Sequence, residues 1–322
     1  MSELPRSFSA PGKLVLIGEY AVTDGFPAVV AAVDRRATAC VIDGTELRVR
    51  GDDPRWLTFD DDGAPALASS APLLFAVLRE VQRRGLPHVR AHIAVSTMAF
   101  RVGAQKLGLG SSAAAAVAFT AALCQGSSLD VIYHVARTAH RIFQGGGSGI
   151  DIAASTYGGL LRVHEGRAQP TAALPQELAL VVAWTGIPAQ TQGFIDAYQA
   201  LPQREQHARA IDCATTRFLT GAARNDASEV LAAISDARLA MERMGRAAGI
   251  DVVTAEHQRI AELTRAAGGQ AKPSGAGGGD VAVCLVPQDA CARLKDALAG
   301  AGFAIVDVTV GAPGVRLDAS QA

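Results

Sequence analysis

No stretch of this 322-residue chain is long and apolar enough to cross a bilayer. Its first residues, MSELPRSFSAPGK, carry no apolar signal segment. The expectation is a cytoplasmic protein that does not engage a membrane. Charge of one sign is also missing: 30 Lys and Arg stand against 31 Asp and Glu, for a formal net charge of -1. A chain with no global field is not built to bind nucleic acid or an anionic surface. Any anion it holds must be held by local side chains and backbone amides. Cysteine is sparse, odd in number at five, and nowhere spaced Cys-x-x-Cys. Cys40, Cys124, Cys213, Cys284 and Cys291 therefore read as free thiols, most of them buried, in a reducing compartment.

What the chain does contain is apolar bulk and glycine. Hydrophobic residues make up 49% and charged residues 19%, which excludes disorder and suffices for a sizeable core. The length suits two domains. The 33 glycines are not periodic. They cluster at 108–110, 145–149, 158–159 and 275–279. Clustered glycine marks places where the backbone turns tightly or approaches a ligand.

Apolar runs predict strands at Leu14–Ile17, Phe26–Val33 and Arg36–Ile42, the last forming a hairpin with Glu46–Arg50 through Asp43-Gly44. An acidic surface loop is expected at Asp60–Gly63. Leu74, Val77, Leu78 and Val81 share one face of a helix over Pro72–Arg84. Further helices are expected at Ser111–Leu123 and Leu129–Phe143, and strands at Val89–Ser96, Leu160–Val163 and Leu178–Trp184. Beyond Gly186 four helical stretches follow one another, at about 191–199, 204–222, 226–247 and 251–267. A loop Lys272–Asp280, a strand Val281–Val286, a helix over about 288–300 and a strand Ala304–Val310 close the chain. The change of character near residue 186 sets the expected boundary between domains 1–186 and 187–322.

Four segments carry chemistry. In Lys106-Leu107-Gly108-Leu109-Gly110-Ser111-Ser112-Ala113, small residues let successive amides converge. The helix behind them adds its free N–H groups and positive dipole end, which makes an anion cradle. Ser111 or Ser112 can cap that helix, and one hydroxyl can also reach a metal or a phosphate oxygen. The alternative is an ordinary glycine turn with a serine cap. The spacing is neither G-x-x-x-x-G-K-[ST] nor G-x-G-x-x-G. In Lys272-Pro273-Ser274-Gly275-Ala276-Gly277-Gly278-Gly279-Asp280, the entropy cost of four glycines in five positions argues for close approach to a bound group, against a linker. Lys13 enters a buried strand and Glu19-Tyr20 leaves it. Near a phosphate cradle Lys13 could stabilise transferring charge, and otherwise it is a solvated surface lysine. Asp151 follows Ser148-Gly149 early in a short helix. It is either a dipole partner or a carboxylate that orients an acceptor's proton.

The segments APGKLVLIGEYAV, KLGLGSSAA and KPSGAGGGD resemble, in order, motifs 1, 2 and 3 of the GHMP kinase superfamily, and the resemblance covers nearly the whole chain. Within it, Tyr20 after Gly18-Glu19, AHRIFQGGGSGIDIAASTYGG, WTGIPAQT and the Lys272-Pro273…Asp280 form of motif 3 are similar to the phosphomevalonate kinases. The glycine turn after Gln144 is one residue shorter than in that pattern.

The resemblance implies an α+β fold, with a ribosomal-protein-S5-domain-2-like N-terminal domain and a ferredoxin-like C-terminal one. It implies ATP and Mg²⁺ as cofactors and phosphomevalonate as the small-molecule acceptor. By it, Lys106–Ala113 and Ser274–Gly277 (with Gly275 and Ala276) would hold the nucleotide, and Ser112 the metal. Lys13 and Asp151 would be catalytic. Lys13, Glu19, Tyr20, Ser148, Gly149, Asp151 and Lys272 would contact the acceptor. Mevalonate kinase or another kinase of the superfamily is the competing reading, and a non-catalytic sensor on the same fold a third.

Overall fold

The computed structural model describes residues 6–59, 68–103, 105–189 and 191–319. The acidic loop expected at 60–63 lies outside the described residues. The N-terminal half is built on an eight-stranded sheet whose main path runs β14-β1-β2-β5-β3-β4, with β8 and β9 branching from β2. Here β1 is Arg6–Ile17, β2 Ala28–Ile42, β3 Arg48–Arg50, β4 Leu57–Thr58, β5 His92–Ser96, β8 Leu160–His164, β9 Arg167–Pro170 and β14 Arg316–Leu317. A small hairpin, β6 (Arg101–Val102) with β7 (Gln105–Lys106), stands apart.

The expected strand Ala304–Val310 is regular only over Ala304–Ile305, and in the first sheet two further expected features change. The runs 26–33 and 36–42 are one strand, because β1 pairs along the whole of β2 and absorbs the polar break at Asp34-Arg35 in a bulge near Pro11 and Gly12. The hairpin through Asp43-Gly44 does not form. Instead β5 lies between β2 and β3, antiparallel to the first and parallel to the second. Its alternating burial, with Ile93 and Val95 inward, fits an interior strand.

Helices α1 (Pro72–Arg83), α2 (Ser111–Leu123), α3 (Leu129–Gln144) and α4 (Ile150–Tyr157) accompany this sheet. Helix α2 is apolar all round, with Ala113 through Leu123 buried, and it packs on β1 and β2 beneath α3. Ser128 caps α3 by accepting from the Val131 amide.

The second sheet is antiparallel, in the order β11-β12-β10-β13: Gln270–Pro273, Val281–Pro287, Leu178–Trp184 and Ala304–Ile305. Strand β12 shows the period of two directly. Val281, Val283 and Leu285 face the main core with the helical pair α6 (Arg204–Ala223) and α7 (Ala227–Ala248), beyond the short α5 (Thr191–Gln199). Ala282, Cys284 and Val286 face α8 (Ala255–Ala266) and α9 (Cys291–Gly300). Pro273 sits on the edge strand β11, where a missing amide is tolerated.

These sheets divide the chain differently from the expected break at 186/187. The path enters the second sheet with β10 at Leu178. After β13 it returns: Val310 bridges Val33, Pro313 bridges Gly158, and β14 pairs with β1. The Arg36 guanidinium fastens this return by donating to the Ser9, Pro313 and Gly314 carbonyls. All five cysteines are free; Cys124 and Cys284 are buried, and Cys213 is exposed. Among the described residues no helix is long and apolar enough to cross a membrane.

Candidate active site

The loop before α2 is fixed from below and open above. Leu107 and Leu109 are buried, so their side chains anchor the loop in the core. The Lys13 amide donates to the Leu109 carbonyl at 2.8 Å, which sews β1 to the loop. The first turn of α2 leaves amides without helical partners, turned toward the open side. Gly110 holds φ +79, and a Cβ there would lie 2.9 Å from Lys13 Cγ. The chain passes this point only because no side chain stands between the loop and the lysine.

Lys13 is 7% exposed. Its Nζ lies 3.7 Å from Asp151 Oδ1 and beside Gly275, so it faces both glycine loops and the start of α4 at once. Asp151 stands in the first turn of α4, behind the left-handed Gly149, and stays partly open. Ser148 and Gly149 are half-buried beside it. Ser112 Oγ lies 3.0 Å from His140 Nε2. His140 sits on the buried face of α3, and burial holds its pKa below the usual imidazole value; Lys13 pushes the same way and Asp151 opposes.

Several expected ligand residues are engaged within the protein. Lys272 has a side chain with no exposure, and its ammonium donates to Glu19 Oε1 and, at 2.6 Å, to the Pro273 carbonyl. Burial lowers its pKa and Glu19 opposes. Neither Lys272 nor Glu19 offers an open face to an acceptor in this arrangement, because each is enclosed with the other. Tyr20 is likewise buried. Its hydroxyl donates to the Ala276 carbonyl and its ring meets Tyr198 at 5.1 Å. Ser274 Oγ accepts from the Val15 amide and donates to the Val15 carbonyl, both at 3.0 Å. These four side chains clamp the 274–279 loop onto β1. What the loop can present to a ligand is backbone, at Gly275, Ala276 and Gly277.

Asp280 ends that loop at φ 55, a strained value for a residue with a side chain. Its Oδ1 accepts from the Ala189 amide at 3.2 Å, and its carboxyl lies against Gly108, where a Cβ would be 2.4 Å from Asp280 Cγ. Burial raises its pKa, with the Ala189 bond and Lys13 opposing. A cavity of about 340 Å³ opens beside the phosphate loop, between Asp52, Pro72, Thr97, Lys106, Ser112 and Phe143. A wider cleft of about 650 Å³ at Glu177, Arg224 and Asp226 lies away from all four segments.

Asp280 and the cavity wall at Asp52 and Thr97 were not singled out from sequence as site residues, and His140 was read only as one of the cations near the motifs. For His140 a signal existed: it is the polar member of the apolar face formed by Val135, Ala136 and Ala139. The cavity wall had none, being assembled from segments that close only in three dimensions.

A loop of converging amides, a helix N-terminus, a lysine aimed between them and a base-sized cavity alongside define a nucleotide-dependent phosphotransferase. The comparisons agree. Residues 72–159 match the family model described as the GHMP kinases N terminal domain. A phosphomevalonate kinase from a Streptomyces species is 30% identical over 87% of this chain and 90% of its own length. A mevalonate kinase from Thermococcus gammatolerans is 28% identical over 96% of this chain and 97% of its own. In fold, the chain superposes on the Streptococcus pneumoniae phosphomevalonate kinase in complex with phosphomevalonate and AMPPNP with a TM-score of 0.79, at 18% identity, covering 94% of this chain and 99% of that one. The chain belongs to the GHMP kinase family, and its architecture is the family's two-domain α+β fold.

Proposed function

We propose that this protein transfers the terminal phosphoryl group of ATP to 5-phosphomevalonate, giving 5-diphosphomevalonate in the mevalonate pathway. The observation that carries the reading is the placement of Lys13. Its ammonium sits where the phosphate loop, the 274–279 loop and the start of α4 converge.

Each group has work to do there. The loop amides from Gly108 to Ala113 bind the polyphosphate, and the adjoining cavity takes the base, with Lys106 at the junction. Backbone at Gly275–Gly277 covers the phosphates from the other domain. Ser148, Gly149 and the first amides of α4 receive the acceptor. Lys13 stabilises charge on the transferring group and draws donor and acceptor phosphates together against their repulsion. An acceptor phosphate is already ionised and nucleophilic near neutral pH, so Asp151 mainly orients Lys13 and the acceptor. Among the described residues no three His, Cys, Asp or Glu side chains gather as a metal cage. The half-buried Ser112 hydroxyl at the start of α2 instead fits Mg²⁺ held largely by nucleotide phosphates. When bound, that ion supplies neutralisation of phosphate charge.

The Streptomyces relative's name supports phosphomevalonate as acceptor. The alternative, mevalonate, has its own support: several mevalonate kinases are 27–29% identical, and Asp151 stands where an alcohol acceptor would need a base. Coupled ADP release with ATP and Mg²⁺, against mevalonate, phosphomevalonate and diphosphomevalonate side by side, decides between them. Turnover on phosphomevalonate, lost in Lys13→Met, is expected. Turnover on mevalonate alone overturns the acceptor, and turnover surviving in Lys13→Met overturns the role of the lysine.

A further inference from the structure

Phosphoryl transfer as described leaves the Ser112–His140 contact without a task. Ser112 is the second residue of α2, at the mouth of the phosphate cradle, while His140 comes from a different helix and is 5% exposed. Their Oγ and Nε2 atoms are 3.0 Å apart. A serine hydroxyl on its own rotates among staggered positions. In some of them it donates its proton to a phosphate oxygen, and in others it offers lone pairs. An imidazole nitrogen fixed by a buried helix face removes that freedom. Lys13 and Asp151 lie close enough for their charges to act on the ring, so the pair belongs to the reacting end of the cradle.

We propose that His140 is a positioning residue: its Nε2 takes the Ser112 hydroxyl proton in a hydrogen bond and turns the serine lone pairs toward the cation that accompanies the nucleotide. This rests on the phosphate-loop reading above. Two consequences separate it from mere packing. His140 acts only through Ser112, and it acts only on the metal-loaded nucleotide.

The test compares wild type, Ser112→Ala, His140→Phe, the double variant and His140→Gln. Binding of AMPPNP is measured by calorimetry with Mg²⁺ and with EDTA, and KM and kcat for ATP are followed in parallel. His140→Phe is expected to weaken binding with Mg²⁺ by roughly three- to tenfold, the scale of one ordinary hydrogen bond. Binding in EDTA stays unchanged. The double variant matches Ser112→Ala, and His140→Gln, which keeps a hydrogen-bonding group, recovers most of the loss. Additive losses in the double variant, or equal weakening with and without Mg²⁺, overturn the proposal. A Ser112→Ala protein that binds like wild type sinks the phosphate-loop role of the serine itself. A weakened Ser112→Ala beside an unchanged His140→Phe sinks only the positioning role. If His140→Phe does not fold, His140→Ala takes its place in the same cycle.

Discussion

Replacing Lys272 by Met cuts one half of a buried ion pair and leaves the other in place. Glu19 would then keep only the Gly275 amide at 3.3 Å, and its Oε2 already has no partner. Breaking a buried pair from one side costs about 3–5 kcal/mol, because the remaining charge stays enclosed without compensation. Replacing both partners together, Glu19→Leu with Lys272→Met, removes that charge as well, and such exchanges are commonly close to neutral. The expected pattern is thus strongly non-additive: a large loss for Lys272→Met and a far smaller one for the double variant. Urea unfolding followed by tryptophan fluorescence reads this directly, since Trp56 lies beside the first sheet and Trp184 belongs to the second. Both transitions should move, because the pair joins the end of β1 to β11. A loss below about 1 kcal/mol for Lys272→Met, the worth of a surface pair, would refute the reasoning. So would a double variant as unstable as the sum of its parts.

Gly110→Ala places a Cβ 2.9 Å from Lys13 Cγ at φ +79. The strain is about 1–2 kcal/mol, and a displaced lysine should lower kcat by about 10²-fold; steady-state kinetics showing wild-type turnover would count against the crowding. Asp151→Asn should reduce turnover on phosphomevalonate by much less than the about 10²–10⁴-fold a general base supplies. A loss of that full size, in the same assay, would restore Asp151 as a base. Burial pushes the His257 pKa down from 6.5 to about 4. The unfolded chain therefore binds the extra proton between those values, so stability is complete above pH 6.5 and falls as pH drops toward 4. The loss is about 3 kcal/mol by linkage, and urea titrations across that range should show a flatter profile in His257→Gln.

Elements with a private signal were legible in the sequence. The apolar stripe of α1 and the alanine-rich run of α2 marked helices, and the glycine clusters marked the loops that converge on Lys13. Features that depend on distant partners were not. The polar pair Asp34-Arg35 looks like a strand break, yet β1 carries β2 straight through it. Asp43-Gly44 looks like a hairpin turn, yet a strand some fifty residues later takes the place beside β2. Lys272 and Glu19 each read as charges that contact the acceptor. They are enclosed only because residues 253 positions apart meet. Ser274, similarly, reads as a phosphate-facing serine until β1 supplies both of its partners.

The return of the chain to the first sheet bears on how the two halves can move. The backbone crosses between them twice, once between β9 and β10 and again after β13, and the second crossing is locked down by β14 and Arg36. A pair of lobes joined by one connection can swing apart in any direction. Lobes joined by two can only rotate about the line through both crossing points, like a door on two hinges. Any opening of the cleft at Lys13 would be confined to that one axis, and it would first have to release the clamp of Ser274, Lys272 and Tyr20 between β1 and the 274–279 loop. Cutting the backbone between residues 306 and 314 would remove one hinge pin. It should loosen that motion while leaving every residue of the cradle in place.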